Sequence, residues 1–245
     1  MPATPESSLG RAYRVFYEWL CGRHPGTRPW HFQWLPDVLM LRSLNRHLPA
    51  LTGRVLDVGC GEQPYKGILR SAEQYVGVDI EDNGKTDVVV ESQRWPFMDK
   101  SFDAVLMNQV MEYLCDPGQT ISEIRRVLRP GGQAIISMPF LFNEHGARDC
   151  IRLTAHGSEA LFPGFHTIVV EKQGGIGSTS AILWLNWIDT TLNRRFWTRL
   201  TRPALLPVWL PSCLLANLLG LLLDRLDRTG CFYSNLLIVL ERCDG

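Results

Sequence analysis

The chain has no excess charge of either sign: 25 Lys and Arg stand against 25 Asp and Glu over 245 residues, with no long basic run. A partner held chiefly by phosphate neutralisation needs a basic face, so nucleic acid is not expected as a substrate. No C-x-x-C pair occurs among the seven cysteines, at positions 21, 60, 115, 150, 213, 231 and 243. Their odd number and scatter fit reduced thiols in a cytoplasmic protein better than a disulfide framework or a structural zinc site. The opening stretch MPATPESSLGRAYRVFYEWL lacks a long apolar run ahead of a small-residue cleavage site, so no secretory leader is expected. The string G-x-x-x-x-G-K-[ST] is absent too, which removes a P-loop.

What is present is a globular composition, 45% hydrophobic with 21 Gly and 15 Pro. Tyr13, Phe16, Tyr17 and Leu20 predict a first short helix. Val38, Leu39, Leu41, Leu44 and Leu48 predict a second, started at Pro36 and stopped at Pro49. From Gly53 onward short apolar runs alternate with glycines and helical segments, the pattern of a parallel α/β sheet. Strands are expected at RVLDVG, QYVGVD, DVVVE, FDAVLMN, QAIISMP, TIVVEK and FYSNLLIVLE. Asp116 and Pro117 predict a helix cap and first turn, with Ile121, Ile124, Val127 and Leu128 on the buried face, and LRPGG ends that helix. The stretch between Asp79 and Asp87 is too short for a helical crossover, so a loop is expected there. The expected organisation is a helical cap (1–50), an α/β core (51–172), an apolar helical insertion (173–230) and a final core strand (231–245).

The segment VLDVGCGEQPY runs from a strand into a glycine turn before a possible helix, and open α/β sheets bind ligands at the carboxyl ends of their strands. Gly59 and Gly61 let the backbone bend and approach a ligand, and Asp79, ending the next strand, can accept hydrogen bonds from two ribose hydroxyls. A dinucleotide fingerprint wants a third glycine where this chain has Pro64, which disfavours NAD. Asp57 places a negative charge beside the turn. That charge repels a pyrophosphate but can orient an ammonium group or offset a sulfonium.

In VLDVGCG, YVGVD, ESQRWPFMDKSFDAVL and LRPGG, taken in order, the sequence resembles the class I S-adenosylmethionine-dependent methyltransferases of the type 11 kind. The resemblance covers residues 53–140 and implies a Rossmann-like seven-stranded sheet. It also implies S-adenosylmethionine as cofactor, held around Asp57, Gly59, Cys60, Gly61, Asp79, Ile80, Glu91, Ser92 and Asn108. Glu91 stands where that family usually has an Asp near the adenine, and MEY at 111–113 stands where many members have an E-H pair. The [DN]-P-P-[YF] string of amino-methylating nucleic-acid enzymes is absent after the fourth strand, which reads MNQVMEY.

Methyl transfer from a sulfonium asks the protein to align donor and acceptor, exclude water and, for a hydroxyl acceptor, supply a base. The stretch MPFLFNEHGARDCIRLTAHG after the fifth strand resembles a bacterial subgroup associated with glycan and lipopolysaccharide assembly. It offers His145 as base, with Asp149 orienting it or serving as base itself. A plain Asp149–Arg152 salt bridge and a Thr154 helix cap are the competing reading. No metal is expected, since His145, Asp149 and His156 match no ligand spacing. Between the sixth and seventh strands lies the apolar insertion. Its first part mixes Trp184, Trp187 and Trp197 with arginines, and its second runs from Pro203 to Leu223 without a charge. A single membrane span is excluded if the sheet is right. Pro203, Pro207 and Pro211 should break the first half, leaving a helix over SCLLANLLGLLLDRLDR capped by Ser212. Peripheral membrane contact through residues 180–225, a lid over a lipid-like acceptor, a homodimer surface and an ordinary buried helix all fit. The function expected is O-methylation of a glycan or lipid-linked small-molecule acceptor in the cytoplasm. A quinone-like or natural-product acceptor, or a non-catalytic cofactor-binding interaction protein, are the alternatives.

Overall fold

The computed structural model describes residues 8–22, 24–90, 94–144, 149–194 and 196–244. Its elements are α1 (Ser8–Cys21), α2 (Trp34–His47), β1 (Gly53–Val58), β2 (Ala72–Asp79), β3 (Val88–Val89), β4 (Phe102–Asn108), α3 (Pro117–Val127), β5 (Leu128–Pro139), α4 (Ala155–Leu161), β6 (Phe165–Gln173), α5 (Ile176–Arg194), α6 (Phe196–Asp224) and β7 (Asn235–Arg242). They fall into two compact units, one of residues 40–173 and 233–245, the other of residues 1–39 and 174–232.

The first unit is built on one seven-stranded sheet in the order β3-β2-β1-β4-β5-β7-β6. The first five strands are parallel, and β7 runs antiparallel between β5 and β6. This is the Rossmann-like α/β architecture expected of a class I methyltransferase. Alternation along each strand gives the sheet two apolar faces. Leu56, Val58, Val105, Met107, Ile136 and Ile238 pack on one face with Ile121, Ile124 and Val127 of α3. Val55, Ala104, Leu106, Ile135 and Val239 pack on the other with Leu44 and Leu48, from α2 and the turn after it. The cap of α3 is the one expected, with Asp116 accepting from the Gly118 amide and Pro117 in the first turn.

Several boundaries differ from the sequence reading, for identifiable reasons. The run DVVVE yields only a two-residue strand, because β2 and β3 are joined by a loop held by Asp82, Asn83 and Thr86 rather than by a packed helix. No helix follows the glycine turn among the described residues. Instead Asp87 accepts from the Gly77 amide and the Gln63 side chain, pinning that connection as turns. LRPGG belongs to β5 itself, where a register shift against β4 absorbs the extra residues. The expectation of seven reduced cysteines also fails: Cys115 and Cys150 form a disulfide with Cα atoms 5.2 Å apart.

In the second unit α5 and α6 form a hairpin whose backbones approach closely. A Cβ on Gly177 would lie 2.3 Å from the Gly220 carbonyl oxygen. The base of the hairpin is closed by α6's acidic end: Asp224 accepts from the Ser178 amide and Asp227 from the Ile176 amide. Leu185, Leu206, Trp209 and Cys213 form its core, with Tyr17 and Phe32 packed against them. α6 does not break at its prolines as the sequence suggested. Pro203, Pro207 and Pro211 lie four residues apart on one exposed stripe, so their missing amides and ring clashes all fall on the side away from the helix's packed face. Ser212 is therefore not a cap, and its hydroxyl donates to the Val208 carbonyl inside the helix.

Candidate functional site

The carboxyl ends of β1, β2, β4 and β5 gather the candidate residues. At the end of β1 the chain turns back over β2, and the amides of Gly59 and Cys60 both donate to the Val78 carbonyl, at 2.8 and 3.0 Å. Gly59 sits at φ +70°, and a Cβ there would lie 2.3 Å from Cγ2 of Val110 in the turn after β4, so no larger residue fits. Gly61, at φ +48°, faces open space, with nothing within 4 Å of the Cβ it lacks, and its amide donates to Asp79 Oδ2 at 2.9 Å. The other carboxylate oxygen of Asp79 accepts from the Ile80 amide at 2.7 Å, while the Ile80 side chain stands exposed.

Asp57 lies one turn deeper and is only 1% exposed. Tyr75, on the same face of β2, donates its hydroxyl to Asp57 Oδ2 at 2.6 Å, and Oδ1 has no hydrogen-bond partner among the described residues. Burial pushes the Asp57 carboxyl up to about 7. The Tyr75 hydroxyl opposes that shift and neighbouring Asp79 adds to it. The Cys60 thiol beside them is pushed up to about 11, first by burial and then by the two carboxylates, so it is no nucleophile. Asn108, ending β4, is committed internally: its amide donates to the Tyr65 hydroxyl at 2.8 Å and its oxygen accepts from Ser137 on β5.

This arrangement decides which ligand chemistry the turn accepts. In a phosphate cradle the turn's N–H groups point at the ligand. Here the amides of Gly59, Cys60 and Gly61 are all spent inside the protein, and two carboxylates face the turn. The field is negative, and the open space beside Gly61 suits a group carrying positive charge. S-adenosylmethionine, with an ammonium, a sulfonium and a ribose, fits these residues: Asp57 and the Gly59–Gly61 turn for its amino-acid end, Asp79 for its hydroxyls.

Across the sheet, the turn after β4 carries Glu112, 2% exposed, with one carboxylate oxygen buried and without a hydrogen-bond partner among the described residues. Burial pushes its carboxyl up to about 7, with Arg152 lowering and Asp149 raising it. Its backbone carbonyl accepts from the amides of Cys150 and Ile151, which with the Cys115–Cys150 bond fixes the segment after β5 against the turn after β4. Asp149 takes both nitrogens of the Arg152 fork on its two oxygens. The ion pair weighed in the sequence is thus formed, and Thr154 caps α4 by accepting from the Gly157 amide at 3.0 Å. His156 lies exposed beside Glu159. Glu91, Ser92 and His145 lie outside the described residues. Tyr75 was not singled out from the sequence, and Glu112 was noted only within MEY at 111–113. The only signal for Tyr75 is its place two residues before Gly77, the β2 partner of Asp57.

Comparison with known proteins agrees with this geometry. Residues 56–136 match the family model described as a methyltransferase domain. The chain is 34% identical over 96 residues to a probable S-adenosylmethionine-dependent methyltransferase of Mycolicibacterium smegmatis, covering 35% of this chain and 37% of that one. It is 30% identical over 108 residues to the malonyl-[acyl-carrier protein] O-methyltransferase of Methylococcus capsulatus, covering 38% and 39%. The chain spans less than half the length of the curated relatives it matches. Among solved structures, the [4+2]-cyclase SpnF aligns with a TM-score of 0.56 at 18% identity, covering 100% and 99% of the two chains. Phosphoethanolamine N-methyltransferase 2 of Haemonchus contortus, in complex with S-adenosylmethionine, aligns at 0.53 and 18%, covering 95% and 60%. At these identities the likeness is one of fold. Residues 56–136 are thus similar to a methyltransferase domain, and S-adenosylmethionine is the cofactor named for the Mycolicibacterium relative.

Proposed function

We propose that the chain is an O-methyltransferase, passing a methyl group from S-adenosylmethionine to a hydroxyl of a glycan or lipid-linked small molecule, and that it works in the cytoplasm. The observation that carries the cofactor half is the turn at Gly59–Gly61, with its amides spent internally and Asp57 and Asp79 facing it. The acceptor half rests on the Pro139–Thr154 pattern, which resembles glycan-assembly enzymes, and on the zero net charge, which disfavours nucleic acid.

When bound, S-adenosylmethionine supplies a methyl group already activated by its positive sulfur. The chain's own residues then have three tasks. Asp57 and the glycine turn hold the cationic end, and Asp79 holds the ribose. The segment after β5, fixed to the turn after β4 through Glu112 and Cys115, forms the acceptor side. His145 takes the hydroxyl proton, with Asp149, paired with Arg152, orienting it or serving as the base itself.

A second reading has one observation in its favour: the cyclase SpnF shares the fold, so the fold alone does not dictate methyl transfer. In that reading the cofactor binds without turnover. The test is calorimetric titration of S-adenosylhomocysteine into wild type and Asp79→Ala, followed by transfer of labelled methyl to glycan and lipid extracts. Binding in the wild type, lost in Asp79→Ala, together with transfer lost in His145→Ala supports the proposal. Failure of the folded wild type to bind the cofactor product overturns it. Binding without transfer to any extract moves the non-catalytic reading forward.

A further inference from the structure

The solvent side of α6 is chemically unlike a surface meant for water. Between 203 and 223 every exposed position is apolar except Ser212, whose hydroxyl is already bonded to the Val208 carbonyl. Val208, Leu215, Leu219, Leu222 and Leu226 follow one another at helical spacing and are 46–73% exposed. The segment Pro203–Asp224 has a mean hydropathy of 1.9, and only 28% of its apolar window is buried inside the protein. A core helix of a soluble protein would be mostly covered, and isolated surface leucines would be interleaved with charges. On the neighbouring helix α5, Leu183, Trp184 and Trp187 are exposed as well.

We propose that this face lies in the surface of an anionic lipid bilayer, anchoring the protein without crossing it. Three observations favour lipid over other occupants. The insertion leaves the sheet at Gln173 and returns at Asn235, residues paired on adjacent strands, so it cannot cross a bilayer an odd number of times. Among the described residues only one helix is long and apolar enough to span. The charge-free strip is also bracketed by arginines, at 199 and 202 before it and at 225 and 228 after it. Arg225 and Arg228 are exposed, while the carboxylates of Asp224 and Asp227 beside them are turned onto the amides that begin α5.

An apolar helix flanked by arginines suits an in-plane position, its leucines among acyl chains and its arginines at the level of the phosphates. At its C-terminal end the face opens into a cavity of about 350 Å³. Ile176, Leu223 and Leu226 form its apolar wall, and Ser180, Asp227, Arg228 and Thr229 supply polar groups around it.

The proposal stands apart from the methyltransferase reading and is tested with the full chain by flotation on vesicles of phosphatidylcholine with and without phosphatidylglycerol. S-adenosylhomocysteine binding and circular dichroism are measured on the same samples. The wild type should float with the anionic vesicles, less so at high salt. Leu219→Glu/Leu222→Glu should lower partitioning at least ~100-fold, since two leucines leave the apolar phase and two charges replace them. The milder Leu215→Gln/Leu222→Gln should lower it by a smaller factor, with folding and cofactor binding unchanged in both. A folded wild type that binds the cofactor product yet does not float overturns the proposal and leaves the enzyme reading intact. Equal flotation of the wild type and both variants removes this face from membrane binding. A dimer that the variants split, without flotation, assigns the face to a second copy instead.

Discussion

Asp57 is the residue whose replacement separates stability from binding most cleanly. Its carboxyl is raised from the ordinary 3.8 to about 7, because the side chain is buried and shares its surroundings with Asp79. Above pH 7 the folded protein must therefore hold a charge it would rather neutralise. A shift of about 3 units corresponds to about 4 kcal/mol. The sign follows from proton counting: between pH 3.8 and about 7 the folded chain keeps the proton while the unfolded chain has lost it. Stability due to this group is thus full below pH 3.8 and declines as pH rises through about 7. Asp57→Asn keeps the shape and can still accept from the Tyr75 hydroxyl, but has no charge to bury.

Paired urea unfolding of ligand-free wild type and Asp57→Asn across a pH series reads the difference directly. The two should match near pH 3.5. The variant should then gain about 1.4 kcal/mol per pH unit and level off about 4 kcal/mol more stable above pH 7. The same substitution should weaken S-adenosylhomocysteine, because the anion facing the cationic amino end is gone. In the wild type, titration at pH 7 should release protons as the bound ammonium favours ionised Asp57, and in Asp57→Asn that release should vanish. A variant destabilised by the same amount at every pH would refute the reasoning, because burial of charge would then not be what Asp57 contributes.

Glu171 behaves in the opposite sense. Burial pushes its carboxyl up, but hydrogen bonds from Ser43 and His47 and the charge of Arg46 outweigh this and hold it below the usual range. Glu171→Gln should cost about 1 kcal/mol at pH 7, and the difference from wild type should disappear as pH falls through the carboxyl's lowered pKa. For the cysteines, brief alkylation of the native protein followed by peptide mapping should label Cys231 and Cys243, which are exposed, and spare buried Cys21, Cys60 and Cys213. Cys115 and Cys150 should be recovered as one linked peptide. Native labelling of either would contradict the bond between the two loops.

What the sequence disclosed and what it hid divide along the range of the interactions involved. β4 is bounded as expected at Phe102 and Asn108, and α3 starts where Asp116 and Pro117 say it must, because each signal is local. The glycine turn and Asp79 were legible for the same reason: strand, turn and strand end lie in one short stretch. Tyr75 was not, since its role comes from register, which sets it diagonally from Asp57 on the neighbouring strand. Cys115 and Cys150 are 35 residues apart, and only the closing of β4 and β5 side by side brings them within reach. The continuity of α6 through three prolines was hidden most deeply. A helix-breaking residue is judged by its local cost, about 3 kcal/mol or more in an interior. Here all three face outward, and the packing of Leu206, Trp209 and Cys213 on the opposite side offsets that cost.

Asp57 and the outer face of α6 share a physical logic although they lie in different units. Each keeps a group where the isolated protein is worse off for it: a carboxylate almost wholly buried, and a row of leucines about half exposed to water. Folding alone selects against both, because a neutral residue at 57 would give a more stable chain and charged residues at the exposed positions 215, 219 and 222 a more soluble one. In the readings proposed above the partners are of complementary chemistry, a compact cation for the first and an apolar medium with anionic edges for the second. The two demands are also separable in the test tube. Salt should weaken vesicle binding through Arg225 and Arg228, exposed at the surface, while leaving the buried contact of Asp57 with a cationic ligand much less affected. A salt titration that weakened both alike would mean that the Asp57 site is open to solvent when it binds, and the assignment of its raised pKa to burial would fall with it.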